Sequence, residues 1–147
     1  MLRVLNFALL MTALGCASPP SGPYAERNTV NASVSGIIRA FDRAAVGIRG
    51  RSANGRELVS KYHSATGDGY DYGDTKTERA YSKLRILGER RPYILQIQVI
   101  IEKRNSKGVY RLVDYDQEKA EKVLKGLIDY LVTRPEREDF IDDFRPF

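Results

Sequence analysis

The chain opens with an apolar run that ends at its only cysteine, and this fixes how much sequence is left to build a fold. Met1-Leu2-Arg3 leads into Val4 to Leu14, interrupted only by Asn6 and Thr12, and Arg3 is the sole charge before Glu26. A short positive start followed by a short apolar stretch is the pattern of an export signal. A permanent span takes about 20 apolar residues, so this run is too short for one. With Cys16 as the only cysteine, no internal disulfide can form. Removing residues 1–15 leaves 132, which suits one domain and is short for two. That domain must hold itself together by burying its own apolar side chains.

The run closes on Thr12-Ala13-Leu14-Gly15-Cys16, which resembles the lipobox of bacterial lipoproteins. Gly15 supplies the small residue that the family requires before the cysteine, and Ala13 stands where it prefers Leu. The resemblance implies cleavage before Cys16, a thioether-linked diacylglycerol on its sulfur and an acyl chain on its amine. Two or three chains anchor a protein stably where one holds only marginally. Loss of Cys16 is expected to release the protein. Residues 16–26 then form a Pro/Ser-rich tether with Pro19, Pro20 and Pro23 and no apolar period. Ala17, rather than Asp, follows the cysteine, which resembles lipoproteins passed on to the outer membrane, facing the periplasm.

From residue 27 onward the apolar spacing alternates between two periods. Val34, Ile37, Ile38, Phe41 and Ala45 recur every three or four residues, so the spacing predicts a helix over Val30 to Ala45, capped by Asn28 or Asn31. Asn54-Gly55 between two short β-like runs predicts a hairpin. Residues 64–75 hold three glycines and no apolar period, which predicts a long loop. A third strand is expected over Lys76 to Gly88 and a turn through Arg90-Arg91-Pro92. Tyr93, Leu95, Ile97, Val99 and Ile101 alternate as the clearest strand of the chain. Asn105 to Gly108 turns into a fifth strand ending at Tyr115. Asp116 caps a last helix over about 117–134, with Ala120, Val123, Leu124, Leu127 and Leu131 as its stripe, stopped by Pro135.

The expected architecture is a single α+β domain over 27–135. It is a two-layer sandwich, an antiparallel sheet of about five strands with an N-terminal and a C-terminal helix on one face. A tail, 136–147, mixes five acids with Phe140, Ile141, Phe144 and Phe147. The order of elements, with Gly55-Arg56-Glu57-Leu58-Val59 closing a hairpin and Arg79-Ala80-Tyr81 opening the next strand, is similar to the helix-grip domains of BamC/NlpB-like lipoproteins. Those are accessory parts of an outer-membrane assembly machine. The resemblance speaks to fold more than to function.

Charge is uneven. Residues 27–111 hold 17 Lys/Arg and 8 Asp/Glu, while 112–147 hold 6 and 10. A basic body suits anionic headgroups, a polyanion or an acidic partner, or is simply a set of solvated strand faces. Nucleic acid is not expected for an exported chain, and no aromatic-plus-basic platform stands out along the sequence.

Catalytic signals are scarce. His63 is the only histidine, and one histidine is a poor start for a zinc site or an acid–base pair. No GxSxG, P-loop or HExxH pattern occurs. Asp68, Asp71 and Asp74 lack the ligand order of a calcium loop. No enzyme, metal or cofactor is therefore expected; the covalent lipid on Cys16 is the only added group. The candidate contacts for a ligand or partner are Tyr70 and Tyr72 in the loop, Arg90 and Arg91 in the turn, and Phe140, Phe144 and Phe147 in the tail. The expected function is a membrane-anchored, non-enzymatic accessory or scaffold lipoprotein that binds another envelope protein. The alternative is a lipoprotein gripping a lipid, glycan or peptidoglycan fragment between helix and sheet.

Overall fold

A computed structural model of the chain describes residues 22–64 and 77–134. The stretch expected to be an export signal, Cys16, most of the expected tether, the expected loop with Tyr70 and Tyr72, and the segment with Phe140, Phe144 and Phe147 lie outside the described residues.

The protein is α+β, with two helices and an open antiparallel sheet of six strands. Element order is β1 (Ala25–Val30), α1 (Val34–Ala44), β2 (Ile48–Arg51), β3 (Glu57–Ser60), β4 (Glu78–Leu87), β5 (Tyr93–Arg104), β6 (Tyr110–Tyr115) and α2 (Gln117–Thr133). The sheet runs β1-β5-β4-β3-β2, and β6 also pairs β5. β5 is twelve residues long, so one of its edges takes two neighbours end to end. β1 pairs its first half, with Ala25 opposite Ile97, and β6 its second half, with Tyr115 opposite Ile100.

Period-two burial sorts the two faces of the sheet. Ala80, Ser82, Leu84 and Ile86 of β4 are buried, as are Tyr93, Leu95, Ile97 and Val99 of β5. All of these but Ser82 join Ile37, Ala40 and Phe41 of α1 and Ala120, Val123, Leu124 and Leu127 of α2 in one apolar cluster. α2 packs against α1, β5 and β1. Ile37, Phe41, Leu58, Leu84, Leu95, Ile97 and Leu127 are all 0% exposed, so the helix–sheet contact is filled. No described helix is long and apolar enough to cross a membrane.

Three local expectations are corrected. The sheet has six strands rather than five, because Ala25–Val30 is a strand where a tether end and a helix start were expected. Only its end residues, Ala25 and Val30, are buried. Its side chains therefore carry no alternation to read, and its pairing with β5 is what holds it extended. The first helix consequently starts at Val34, not Val30. Its cap is Ser33, whose Oγ accepts the Gly36 N–H at 3.0 Å, rather than Asn28 or Asn31. The second helix starts where its sequence places it, with Asp116 Oδ1 accepting the Lys119 N–H at 2.9 Å.

Candidate functional site

No described helix covers the sheet's outer face, the one opposite the apolar cluster, and register decides what stands there. On β4 it carries Arg79, Tyr81, Lys83, Arg85 and Leu87; opposite them on β5 stand Glu102, Ile100, Gln98, Gln96 and Ile94. Arg79 Nε donates to Glu102 Oε2 at 2.7 Å. Lys83 and Arg85 share Glu57 of β3 at 3.2 and 3.3 Å. Gln96 donates to Glu26 at 2.7 Å.

Toward the start of β4 the face becomes a stack of guanidinium and phenol groups. The Arg79 guanidinium lies 4.0 Å from the ring centre of Tyr62 and 3.6 Å from that of Tyr110. Arg49 lies 4.1 Å from Tyr62 and also donates to the Tyr62 hydroxyl at 2.7 Å. Tyr62 thus sits between two arginines, and Tyr81 meets it edge-on with centroids 5.9 Å apart. Each such contact contributes about 0.5–2 kcal/mol, more as water is excluded. Burial, and then the nearby Glu102 carboxylate, push the Tyr81 phenol above its ordinary pKa, so that ring stays neutral. Arg49 donates otherwise only to the Ser60 carbonyl and has no carboxylate partner among the described residues.

Arg90 and Arg91, the described members of the sequence-derived set, sit in the β4–β5 turn at the opposite end of β4 from this stack. Arg90 is exposed, Arg91 is half-buried, and the Arg91–Pro92 bond is cis. The structure does not bring them to Tyr62 or Arg79. The stack itself was missed by linear reading. Its five members come from β2, β4, β6 and the segment after β3, and only Arg79 and Tyr81, two apart, share a visible signal.

A second feature is the outer edge of β6. Among the described residues its only strand partner is β5, and Val109, Leu112 and Val113 are 54, 46 and 53% exposed. The ladder slips between Ile101 and Glu102, so β6 bulges at Val113.

A third is the pair His63 and Lys119. His63, only 1% exposed, bridges Ala80 across the sheet end. Lys119 Nζ lies 3.1 Å from His63 Nδ1 and 3.3 Å from the Ser64 carbonyl. An ammonium can only donate, which assigns Nδ1 as acceptor and puts the ring proton on Nε2. That buried Nε2 has no hydrogen-bond partner among the described residues. Burial and the Lys119 charge lower the His63 pKa, and burial lowers that of Lys119. Among the described residues no carboxylate hydrogen-bonds to the ring. Among the described residues no three His, Cys, Asp or Glu are grouped to hold a metal.

An open cleft of about 450 Å³ is lined by Tyr24, Arg27, Glu121, Lys125 and Asp129 among others, from β1 and α2 and beside them. Charges of both signs line it, so it offers no single-sign field to an ion. No protein-family model matches the chain, and no curated protein matches it.

Proposed function

We propose that the chain is a bacterial lipoprotein, lipidated at Cys16, whose domain is a non-enzymatic accessory or scaffold subunit that docks another envelope protein. Its place is the periplasmic side of the outer membrane. In this reading the helices form one layer of a two-layer sandwich and the sheet forms the other. The observation that carries the docking role is the β6 edge. Exposed edge strands are ordinarily blunted with charge, and apolar side chains exposed along one invite strand addition. Leu112 and Val113 are consecutive and both are about half exposed. The bulge at Val113 limits how long a strand can add.

The second reading, a lipid or glycan held between helix and sheet, has less support. That space is occupied by side chains at 0% exposure, and a ligand would have to displace them.

A photo-crosslinking amino acid at position 112, in cells making the lipidated protein, tests the docking role. One discrete adduct at 112, absent at position 122 on the solvent side of α2 and abolished by Val113→Asp, is the expected result. No adduct at 112, or equal adducts at 112 and 122, would overturn it.

A further inference from the structure

Gly22 comes six positions after Cys16 and lies over the outer face of the sheet. Its carbonyl accepts from Gln98 Nε2 at 2.8 Å. The Tyr115 ring is so near that it leaves no room for a Cβ on residue 22. Both partners belong to the outer face: Gln98 alternates with buried Ile97 and Val99, and Tyr115 stands opposite Ile100. β6 is the physical cause. It takes the place beside β5 that a backward continuation of β1 would need, so the incoming chain leaves the sheet plane.

The reach of the tether then limits how the domain can sit. Six residues span at most about 20 Å when fully extended. β4, with ten residues, is roughly 33 Å long by comparison. To turn the helices toward the bilayer, the tether would have to round the sheet edge and pass the helix layer. That path is roughly 20 Å and leaves no slack. With the outer face toward the bilayer, the tether needs almost none of its length.

The chemistry of that face matches a headgroup layer. Its carboxylates, Glu26, Glu57 and Glu102, are each engaged by a neighbour, respectively Gln96, the Lys83–Arg85 pair, and Arg79. Among the described residues Arg49 has no carboxylate partner. Leu87 and Ile94, opposed across β4 and β5, are 39 and 36% exposed. The described residues together hold 20 Lys/Arg against 11 Asp/Glu, so the body as a whole is drawn to an anionic surface. Arginine and tyrosine are also the side chains that settle at a membrane–water boundary, with an apolar body and a polar tip.

We infer that the outer face of the sheet is the membrane-facing surface of the protein, lying against the headgroups of the bilayer that holds its lipid. Arg49, Lys83 and Arg85 stand at the headgroup phosphates, and Leu87 and Ile94 at the interface. The inference rests on the lipoprotein reading. It leaves the β6 edge free for a partner held beside the protein at the same membrane.

The test uses the full-length protein, processed in cells, purified from membranes and reconstituted into phosphatidylglycerol-containing vesicles. Cys16 is blocked by its lipid, so an introduced cysteine is the only free thiol. A bimane label is attached in Lys83→Cys and Ile94→Cys on the outer face, and in Lys122→Cys and Lys125→Cys on α2. Headgroup-nitroxide lipids should quench the outer-face labels about threefold or more beyond the α2 labels, and raised salt should narrow the difference. Equal quenching at all four sites, stronger quenching on α2, or outer-face protection only when a second protein is added would overturn the inference. Intact mass of the same samples separates the two claims. An acylated chain starting at Cys16 with the wrong quenching pattern sinks the orientation alone. An unmodified chain that keeps residues 1–15 sinks the lipoprotein reading and the orientation with it.

Discussion

His63 is where one residue carries the most consequence. It is buried, its Nδ1 is held by the Lys119 ammonium, and Asp116 is the nearby carboxylate, on the same helix as Lys119. Protonating the ring would place a second cation 3.1 Å from the first and remove the lone pair that accepts from it. The folded-state pKa is accordingly below the ordinary value of 6.5, by burial first and by Lys119 second, so the unfolded chain binds the proton more readily. The sign follows. The stability that rests on neutral His63 is fully present above the unfolded pKa of about 6.5 and is lost as pH falls from there toward the folded pKa. Urea midpoints should be level from pH 8 to about 6.5, then fall toward pH 5.5, above the range where most carboxylates titrate. Lys119→Met should make that fall shallower, because the repulsion is gone while burial remains. A midpoint that stays level through pH 5.5 would show that the buried ring does not govern acid stability.

At the scale of elements, the end of α1 holds a strain that the sequence hides. Val46 follows the Ala45 cap with φ of 63°, and the Gly47 N–H reaches back to the Asp42 carbonyl at 2.9 Å. This is the reversal by which helices end, with valine at the left-handed position that glycine usually fills. A β-branched residue there costs about 1–2 kcal/mol, and Val46 is 42% exposed, so little packing offsets it. Val46→Gly should stabilise the protein by about 1 kcal/mol, seen as a higher thermal midpoint; a lower midpoint would mean that the valine side chain packs more than its exposure suggests. The same segment shows what was legible. Tyr93, Leu95, Ile97 and Val99 declare β5 because one buried face imposes strict alternation, and Asp116 declares α2 because its carboxylate meets an unpaired N–H. β1 was not legible, since Glu26 to Thr29 are exposed; pairing with β5 keeps Ala25 to Arg27 extended, and the ladder slips at Asn28 and Thr29, where Thr29 has φ of 60°. The Arg49–Tyr62–Arg79–Tyr110 stack was hidden for a related reason. It is a product of strand register, which places residues 13 to 31 positions apart side by side.

For the whole molecule, anchoring and folding are expected to be separable, because the described contacts of the domain begin at Gly22, six residues after Cys16. A form exported behind a non-lipoprotein signal, with Ala17 as its first residue, keeps every described contact and loses only the lipid. Its thermal midpoint should therefore match that of the lipidated protein in detergent. Its membrane behaviour should not. Each buried methylene contributes about 0.8 kcal/mol, so removing the acyl chains takes away nearly all of the binding energy. What should survive is the weak attraction of a basic body to anionic headgroups, about 1 kcal/mol per basic residue close to the surface. That term acts over a Debye length of about 8 Å at physiological salt and about 3 Å at 1 M. The unlipidated form should sediment partly with phosphatidylglycerol vesicles at low salt, leave them at high salt, and ignore neutral vesicles throughout. Equal indifference to both vesicle types at low salt would mean that the lipid alone holds the protein at the membrane. Firm binding that survives high salt would point to insertion of apolar groups such as Leu87 and Ile94, and electrostatics would then be the minor term.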